Sequence, residues 1–302
     1  MVKIESLVHG IYPKSEKLRI RIGRWERGLI NAQELDSIMA EETEEFEKLT
    51  GTNVIHTDPL FNWYDIFRPI TLISDGMSLG PLTRFEETNT FYRIPLIHSA
   101  PRIRANPKMF LELQDNPPLP LYHSSGRWAA FLPGLQTFYS YSRNAGSLPR
   151  DAFFQEAGKV YSQILSSFKP SSVLFMERVS IDRDVINAYS RIYDPGKVML
   201  YTTGRLSDTA FSESKQKFLS IIVDPEKENL KSAALHSFAP GLKLIDGKNT
   251  KMETKDQLKK RVSDLSSGIS ADRIIVTNSD YFDFLPRSVA DKKVSLLAGG
   301  FD

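Results

Sequence analysis

The sequence contains no cysteine, and that single absence excludes disulfides, thiol nucleophiles and thiolate metal ligands together. Charge of one sign is lacking as well. Thirty-nine Lys and Arg face 37 Asp and Glu, a net charge of +2, so no broad field points to nucleic acid or a membrane surface, and any basic site must be local. No run approaches the roughly 18–20 apolar residues of a membrane span. Residues 1–10 lack the charged start and apolar stretch of a secretory signal, so the expectation is a cytoplasmic protein. Internal repeats, low-complexity tracts and interdomain linkers are missing too. So are a phosphate-binding glycine fingerprint, a zinc-protease helix and a Ser-His-Asp arrangement.

What is present is the composition of an ordinary folded protein, 41% hydrophobic and 25% charged over 302 residues. Short β-branched or apolar runs alternate with helical patterns. Eight strands are predicted: Glu5–His9, Asn53–Thr57, Leu119–His123, Ser172–Met176, Lys197–Tyr201, Leu219–Val223, Gly241–Ile245 and Arg273–Thr277. Helix signals follow most of them. Asn31 and Glu34 form a capping box before Leu35, Ile38, Met39, Phe46 and Leu49, and Gly51 ends that segment. From Asp151 to Phe168 apolar residues recur at helical spacing, and Thr254 with Gln257 opens a further helix carrying Leu258, Val262 and Leu265. Such βα alternation forces parallel strands, and eight of them predict one α/β domain over residues 1–302, a (β/α)8 TIM barrel. The stretch from Pro59 to Pro118 breaks the rhythm with prolines and aromatics, and is expected to be a long excursion between strands two and three, functional or partner-facing.

Active sites of such barrels lie at the C-terminal ends of the strands. There the sequence offers His9, Asp58, His123, Glu177, Thr203, Asp224, Asp246 to Asn249, and Asn278 to Asp280. Each is either a site residue or merely polar where the chain leaves the core. His56 and Asp58 would point to one face of a strand, as two metal ligands do, or serve as a structural histidine beside a loop-capping aspartate. His98 and His236 have no ligand-like spacing. Lys14, Lys17, Arg19, Arg21, Arg24 and Arg27 gather within one helix or its approach, and form either a solvated face or a rim for a polyanionic ligand.

Several of these segments resemble cobalamin-independent methionine synthase, whose long form is two barrels in tandem. His9-Gly10-Ile11-Tyr12-Pro13-Lys14, with Glu16-Lys17-Leu18-Arg19, resembles the family's opening strand, loop and basic helix. Asp58-Pro59-Leu60-Phe61-Asn62-Trp63-Tyr64-Asp65 is similar to its segment after strand two. Glu87-Thr88-Asn89-Thr90-Phe91-Tyr92 and Ile245-Asp246-Gly247-Lys248-Asn249 are similar to stretches of the N-terminal, non-zinc barrel. The resemblance implies a substrate-binding set of Lys14, Lys17, Asp58, Trp63, Tyr64, Asp65, His123, Glu177, Asp246 and Asn249. It also implies a methyl-folate-type donor, whose polyglutamate tail Lys14 and Lys17 would contact.

In the family's catalytic barrel a His-x-Cys pair, a glutamate and a second cysteine hold the zinc that activates the homocysteine thiol. The corresponding positions here read Tyr201-Thr202-Thr203 and Asn278-Ser279-Asp280-Tyr281, and Glu177 is followed by Arg178 and Val179 where the family has proline. The implied protein binds no metal or cofactor of its own and depends on a separate zinc-bearing catalytic barrel, with Trp63, Tyr64 and Phe67 as interface anchors or plain core. Two alternatives stay open. One is a stand-alone pterin or methyl-carrier binding barrel; the other is a metal-independent enzyme of the uroporphyrinogen decarboxylase and methionine synthase superfamily, with Asp58, Glu177 and Asp246 converging.

Overall fold

The computed structural model describes residues 2–61, 63–85, 90–104, 127–203, 210, 217–226 and 230–300. In chain order, β1 (Lys3–Val8) leads through α1 (Glu16–Glu26) and α2 (Ala32–Thr50) to β2 (Val54–Thr57). Then come α3 (Arg68–Ile73), β3 (Ser74–Arg84), β4 (Phe91–Ile103), β5 (Arg127–Pro133), α4 (Leu135–Tyr141), β6 (Arg143–Asn144) and α5 (Arg150–Phe168). The chain continues with β7 (Ser172–Glu177), α6 (Arg183–Ile192), β8 (Val198–Thr202), β9 (Ser220–Val223), α7 (Leu230–His236), β10 (Gly241–Ile245), α8 (Lys255–Ser266), β11 (Arg273–Asn278) and α9 (Arg287–Ala298).

Eight strands close a barrel in the order β1, β2, β5, β7, β8, β9, β10, β11, with β11 returning to β1. Every pairing in it is parallel. The TIM barrel expected from the alternation is therefore the fold. Buried on both faces, such strands read as continuous apolar runs; β2, β7, β8, β9 and β10 are buried at every position. Helices cover them by their apolar stripes. The Asn31–Glu34 capping box is formed, Leu35, Met39 and Phe46 of α2 face inward, and Gly51 ends the helix at positive φ. The Thr254–Gln257 box likewise opens α8.

The third barrel strand departs from expectation. It is Arg127–Pro133, whereas Leu119–His123 falls outside the described residues. The run Trp128-Ala-Ala-Phe-Leu132 has no β-branched residue, so propensity understates a strand whose burial comes from its neighbours β2 and β7. The excursion also has structure of its own. After the short α3, strands β3 and β4 pair antiparallel, and β6 adds to β4 in a small sheet outside the barrel. An aromatic cluster holds this sheet down: Phe67 lies 5.3 Å from Tyr92, 5.4 Å from Phe138 and 5.6 Å from Tyr141, and Phe85 lies 5.7 Å from Tyr92. Because α4 begins where β5 ends, the cluster fixes the paired residues Arg84 and Phe91 near the barrel mouth.

One glycine is demanded where β1 leaves the barrel. Gly10 has φ +84°, and a Cβ there would sit 2.2 Å from Cδ1 of Tyr281, the ring that follows β11. Gly10→Ala is accordingly expected to destabilise the protein by about 1–3 kcal/mol through strain and overpacking. Urea unfolding checks this, and an unchanged midpoint would contradict the placement of Tyr281 on Gly10.

Candidate active site at the barrel mouth

The C-terminal ends of β1, β8 and β11 are tied together by polar side chains. Asn278, the last residue of β11, is fully buried. Its Nδ2 donates to the carbonyls of His9 (3.0 Å) and Asp280 (2.7 Å), and its Oδ1 accepts from the His9 amide at 3.2 Å. The His9 Nε2 lies 3.1 Å from the Asn278 carbonyl oxygen. A carbonyl only accepts, so Nε2 carries the hydrogen and Nδ1 keeps its lone pair. That Nδ1 is buried and has no hydrogen-bond partner. Burial chiefly, with the charges of Lys243 and Arg178, pushes the imidazole pKa down to about 3 against the opposing Asn278 contact and Asp280, so His9 is neutral.

Tyr201 closes the same layer. Its ring meets His9 edge-on at 4.5 Å between centroids, and its hydroxyl donates to the Ser279 carbonyl across the mouth. Lys243, inside β10, places its Nζ 3.9 Å from the Tyr201 ring centroid and donates to the Thr202 carbonyl.

A layer of charge lies beside these groups. The Arg178 guanidinium meets Asp280 in a forked contact at 3.2 and 3.3 Å, and Lys248 reaches the same carboxylate at 2.8 Å. Burial alone would raise the Asp280 pKa; Arg178 and Lys248 together outweigh it and hold the group below the ordinary carboxylate range. Phe85, from the end of β3, covers the guanidinium at 5.1 Å, and Tyr281 flanks it at 5.7 Å. Asp283 completes the rim. Burial pushes its pKa up to about 7, with Lys14 opposing and Asp280 assisting, and its Oδ1 has no hydrogen-bond partner. It lines a recess of about 20 Å³ with Ile11, Tyr64, Phe85, Phe91 and Tyr281, enough for about one water-sized group. A groove of about 760 Å³ between α5 and α6, on the outer wall, contains none of these residues.

Of the residues singled out from sequence, Lys14 does reach this mouth, where burial lowers its pKa and Asp283 opposes. Lys17 is exposed and pairs with Glu41 at 2.7 Å. Asp58 accepts the Leu60 amide at 2.7 Å, which supports Leu60 at φ +54°. Asp65 accepts the amides of Phe67 and Arg68 at 2.8 and 2.7 Å, opening α3. Trp63 and Phe67 are core, Trp63 lying 6.2 Å from Phe131, whereas Tyr64 is 43% exposed and donates to Glu26 at 2.6 Å. Glu177 is fully buried and accepts from the Thr137 amide and hydroxyl, the Gln136 amide and the Tyr189 hydroxyl, so both oxygens serve the first turn of α4. Gly134 permits that approach, since a Cβ there would lie 2.2 Å from the carboxyl carbon. Asp246 accepts the amides of Lys248 and Asn249 at 2.8 and 3.2 Å, and so folds the turn that presents Lys248 to Asp280. Asn249 accepts the Lys251 amide at 2.8 Å. His123 lies outside the described residues.

Asp58 and Asp246 are thus engaged by local backbone, and Glu177 by the start of α4 and the Tyr189 hydroxyl. His56 contacts the Thr57 carbonyl at 3.2 Å and packs edge-on against Phe46, the structural alternative for that pair. Among the described residues no group of three or more His, Asp or Glu side chains is disposed to hold a metal. The donor set does not fit a thiolate zinc centre: at the ends of the fifth and eighth barrel strands stand Tyr201 and Ser279, already bonded to each other. Sequence reasoning missed Lys243, whose charge inside the apolar run Gly241-Leu-Lys-Leu-Ile245 was the available signal. It also missed Asp283 and the Arg178–Asp280 pair.

No protein-family model and no curated protein matches the sequence. Solved structures share its fold along nearly the whole chain, two methionine synthases among them. A B12-independent methionine synthase from Shewanella sp. W3-18-1, in complex with selenomethionine, matches with a TM-score of 0.71 at 11% identity, covering 99% of this chain and 97% of that one. A candidate vitamin-B12-independent methionine synthase from Listeria monocytogenes matches with a TM-score of 0.65 at 13% identity, covering 96% and 95%. At such identities the likeness establishes the fold.

The neutral His9 has a measurable consequence. Below pH 6.5, its ordinary value, the unfolded chain takes up a proton that the folded chain refuses until about pH 3. The contribution is complete above pH 6.5 and is lost as pH falls, by about 1.4 kcal/mol per unit. His9→Gln should therefore flatten the fall of unfolding free energy between about pH 6 and 4 by one proton's slope. Denaturant titrations at several pH values test it, and an unchanged slope would show that His9 is protonated in the fold.

Proposed function

We propose that this chain is a barrel of the cobalamin-independent methionine synthase kind that binds the methyl donor and leaves thiol activation to a separate zinc-bearing barrel. One observation carries the reading: the strand ends that would supply thiolates carry Tyr201 and Ser279, joined by a hydrogen bond, in a chain with no cysteine. The likeness in fold to two methionine synthase structures, together with the motif order along the strand ends, supports the affiliation.

The mouth suits an acidic, hydrogen-bonding small molecule better than an isolated thiol. Lys14, Arg178, Lys243 and Lys248 bring positive charge there against Asp280 and Asp283. Lys14 would receive a carboxylate of a methyl-folate-type donor, since an ammonium group forms charge-assisted bonds to carboxylates. The His9 Nδ1 offers a buried acceptor for an N–H or O–H of the ligand, and Phe85 and Tyr281 offer apolar ring surface.

The test is methyl transfer from 5-methyltetrahydropteroyl-glutamates to homocysteine, with this chain alone plus zinc, and with the zinc-bearing barrel from the same source added. The expected result is no methionine from the chain alone, and a rate with both proteins above that of the zinc-bearing barrel by itself. Methionine formed by this chain alone would overturn the proposal. So would a partner rate that its addition leaves unchanged.

A further inference from the structure

Lys14 is partly buried at the mouth, and its charge acts on Asp283, whose Oδ1 is buried without a hydrogen-bond partner. Among the described residues the Lys14 ammonium itself makes no ion pair and no hydrogen bond. An ammonium whose hydrogens are all unassigned is a group that a ligand carboxylate can engage. The neighbouring residues are the opposite case, for each is tied down.

The Ile11 carbonyl accepts the Asp283 amide at 3.1 Å, and the Tyr12 amide donates to the Pro59 carbonyl at 2.9 Å. The Tyr12 hydroxyl donates to Asp291 at 2.7 Å, and the Pro13 carbonyl accepts from Arg287 at 3.3 Å. On the far side of Lys14, the Ser15 hydroxyl donates to Glu42 and accepts the Leu18 amide at 3.0 Å, capping α1. These ties meet at one guanidinium. Arg287, the first residue of α9, donates to Asp291 at 2.8 Å, to Glu42 at 3.0 Å and to Pro13, and lies over the rings of Tyr12 at 5.1 Å and Phe61 at 5.8 Å. Tyr12, Glu42 and Phe61 are buried. A planar fork of donors can serve two carboxylates and a carbonyl at once, which a lysine in its place could not.

A lysine stem is flexible, so a backbone that is already still reduces the cost of ordering its ammonium against a ligand. We infer that Arg287 is a positioning residue of the ligand site: from α9 it locks Tyr12, Pro13 and, through Glu42, Ser15, and so holds Lys14 at the mouth for a carboxylate of the ligand. The inference rests on the function proposed above, in which Lys14 meets the methyl donor. Arg287 acts only through Lys14, and that dependence separates positioning from a general contribution to stability.

Two readouts on the full chain test it. In the first, isotopically dimethylated lysines are titrated by NMR, the Lys14 signal being the one absent from Lys14→Met. Wild-type Lys14 should titrate below the ordinary lysine range because of its burial, and in Arg287→Gln it should move up toward that range as the loop loosens. In the second, calorimetry measures binding of 5-methyltetrahydropteroyl-triglutamate. Lys14→Met should raise Kd about tenfold or more, and Arg287→Gln about fivefold; placed on top of Lys14→Met, Arg287→Gln should add less than about twofold. Asp291→Asn, a milder change in the same network, should move both readouts the same way by less. Thermal melts show which variants fold, and if Arg287→Gln does not, Asp291→Asn carries the same tests. A folded variant whose Lys14 titrates as in wild type overturns the inference. So does an equal loss of affinity with and without Lys14, which marks a purely structural residue. Donor binding that Lys14→Met leaves unchanged also overturns it, while the proposed function stands. A wild type that binds no donor removes the proposed function, and the Lys14 titration then decides by itself whether Arg287 positions this side chain.

Discussion

The turn from Asn278 to Tyr281 is the constraint on which the barrel mouth depends. Within four residues it bonds the backbone of β1 through the Asn278 side chain, accepts the Tyr201 hydroxyl at Ser279, pairs Arg178 at Asp280, and lays the Tyr281 ring on Gly10. The contacts to Tyr201 and Arg178 cross the barrel to the fifth and fourth strands, and those to His9 and Gly10 tie the eighth strand to the neighbouring first. A parallel barrel closes through backbone hydrogen bonds alone, but the orientation of its strand ends is set by bridges of this sort. The buried Arg178–Asp280 pair is itself a doubtful source of stability, because removing both charges from water costs several kcal/mol per ion. What it secures is geometry, and Lys248, presented by the Asp246 turn, adds the second cation that keeps Asp280 ionised.

That bracing decides which chemistry the mouth can support. A thiolate metal centre needs soft, anionic ligands converging from several strand ends. The same strand ends here present a tyrosine hydroxyl, a backbone carbonyl, a neutral histidine and a paired carboxylate, most of them already committed to one another. Among the described residues of the mouth, the His9 Nδ1 and the Asp283 Oδ1 are buried without a hydrogen-bond partner, the first an acceptor and the second on a carboxyl that burial pushes up to about 7. Such a mouth offers polar acceptors and aromatic surface, and among the described residues no soft thiolate donor.

Much of the barrel was legible because parallel strands are buried on both faces and announce themselves as apolar runs between capped helices. Seven of the eight barrel strands lie where those runs predict. The exception, Arg127–Pro133, follows from a run of alanine, phenylalanine and leucine that reads equally as helix, preceded by a better alternation at Leu119–His123. The site was less legible, for a chemical reason. Asp58, Asp246 and Asn249 follow strand ends and Asp65 opens α3 because short polar side chains bond nearby backbone amides and shape loops, and the same residue types serve as ligands. Glu177 was ambiguous in the same way, and its oxygens turn out to serve the start of α4. Arg178 and Asp280 are separated by 102 positions, and no local pattern couples them.

The central claim is that the mouth is braced by its own polar side chains and needs no metal there. Thermal unfolding of the purified chain in excess chelator and in saturating zinc measures this directly, because a metal bound by the native state alone raises the midpoint as its free concentration rises. The account predicts the same Tm in both conditions, with no zinc retained after gel filtration. A stoichiometric zinc ion, with a midpoint that falls on chelation, would contradict it.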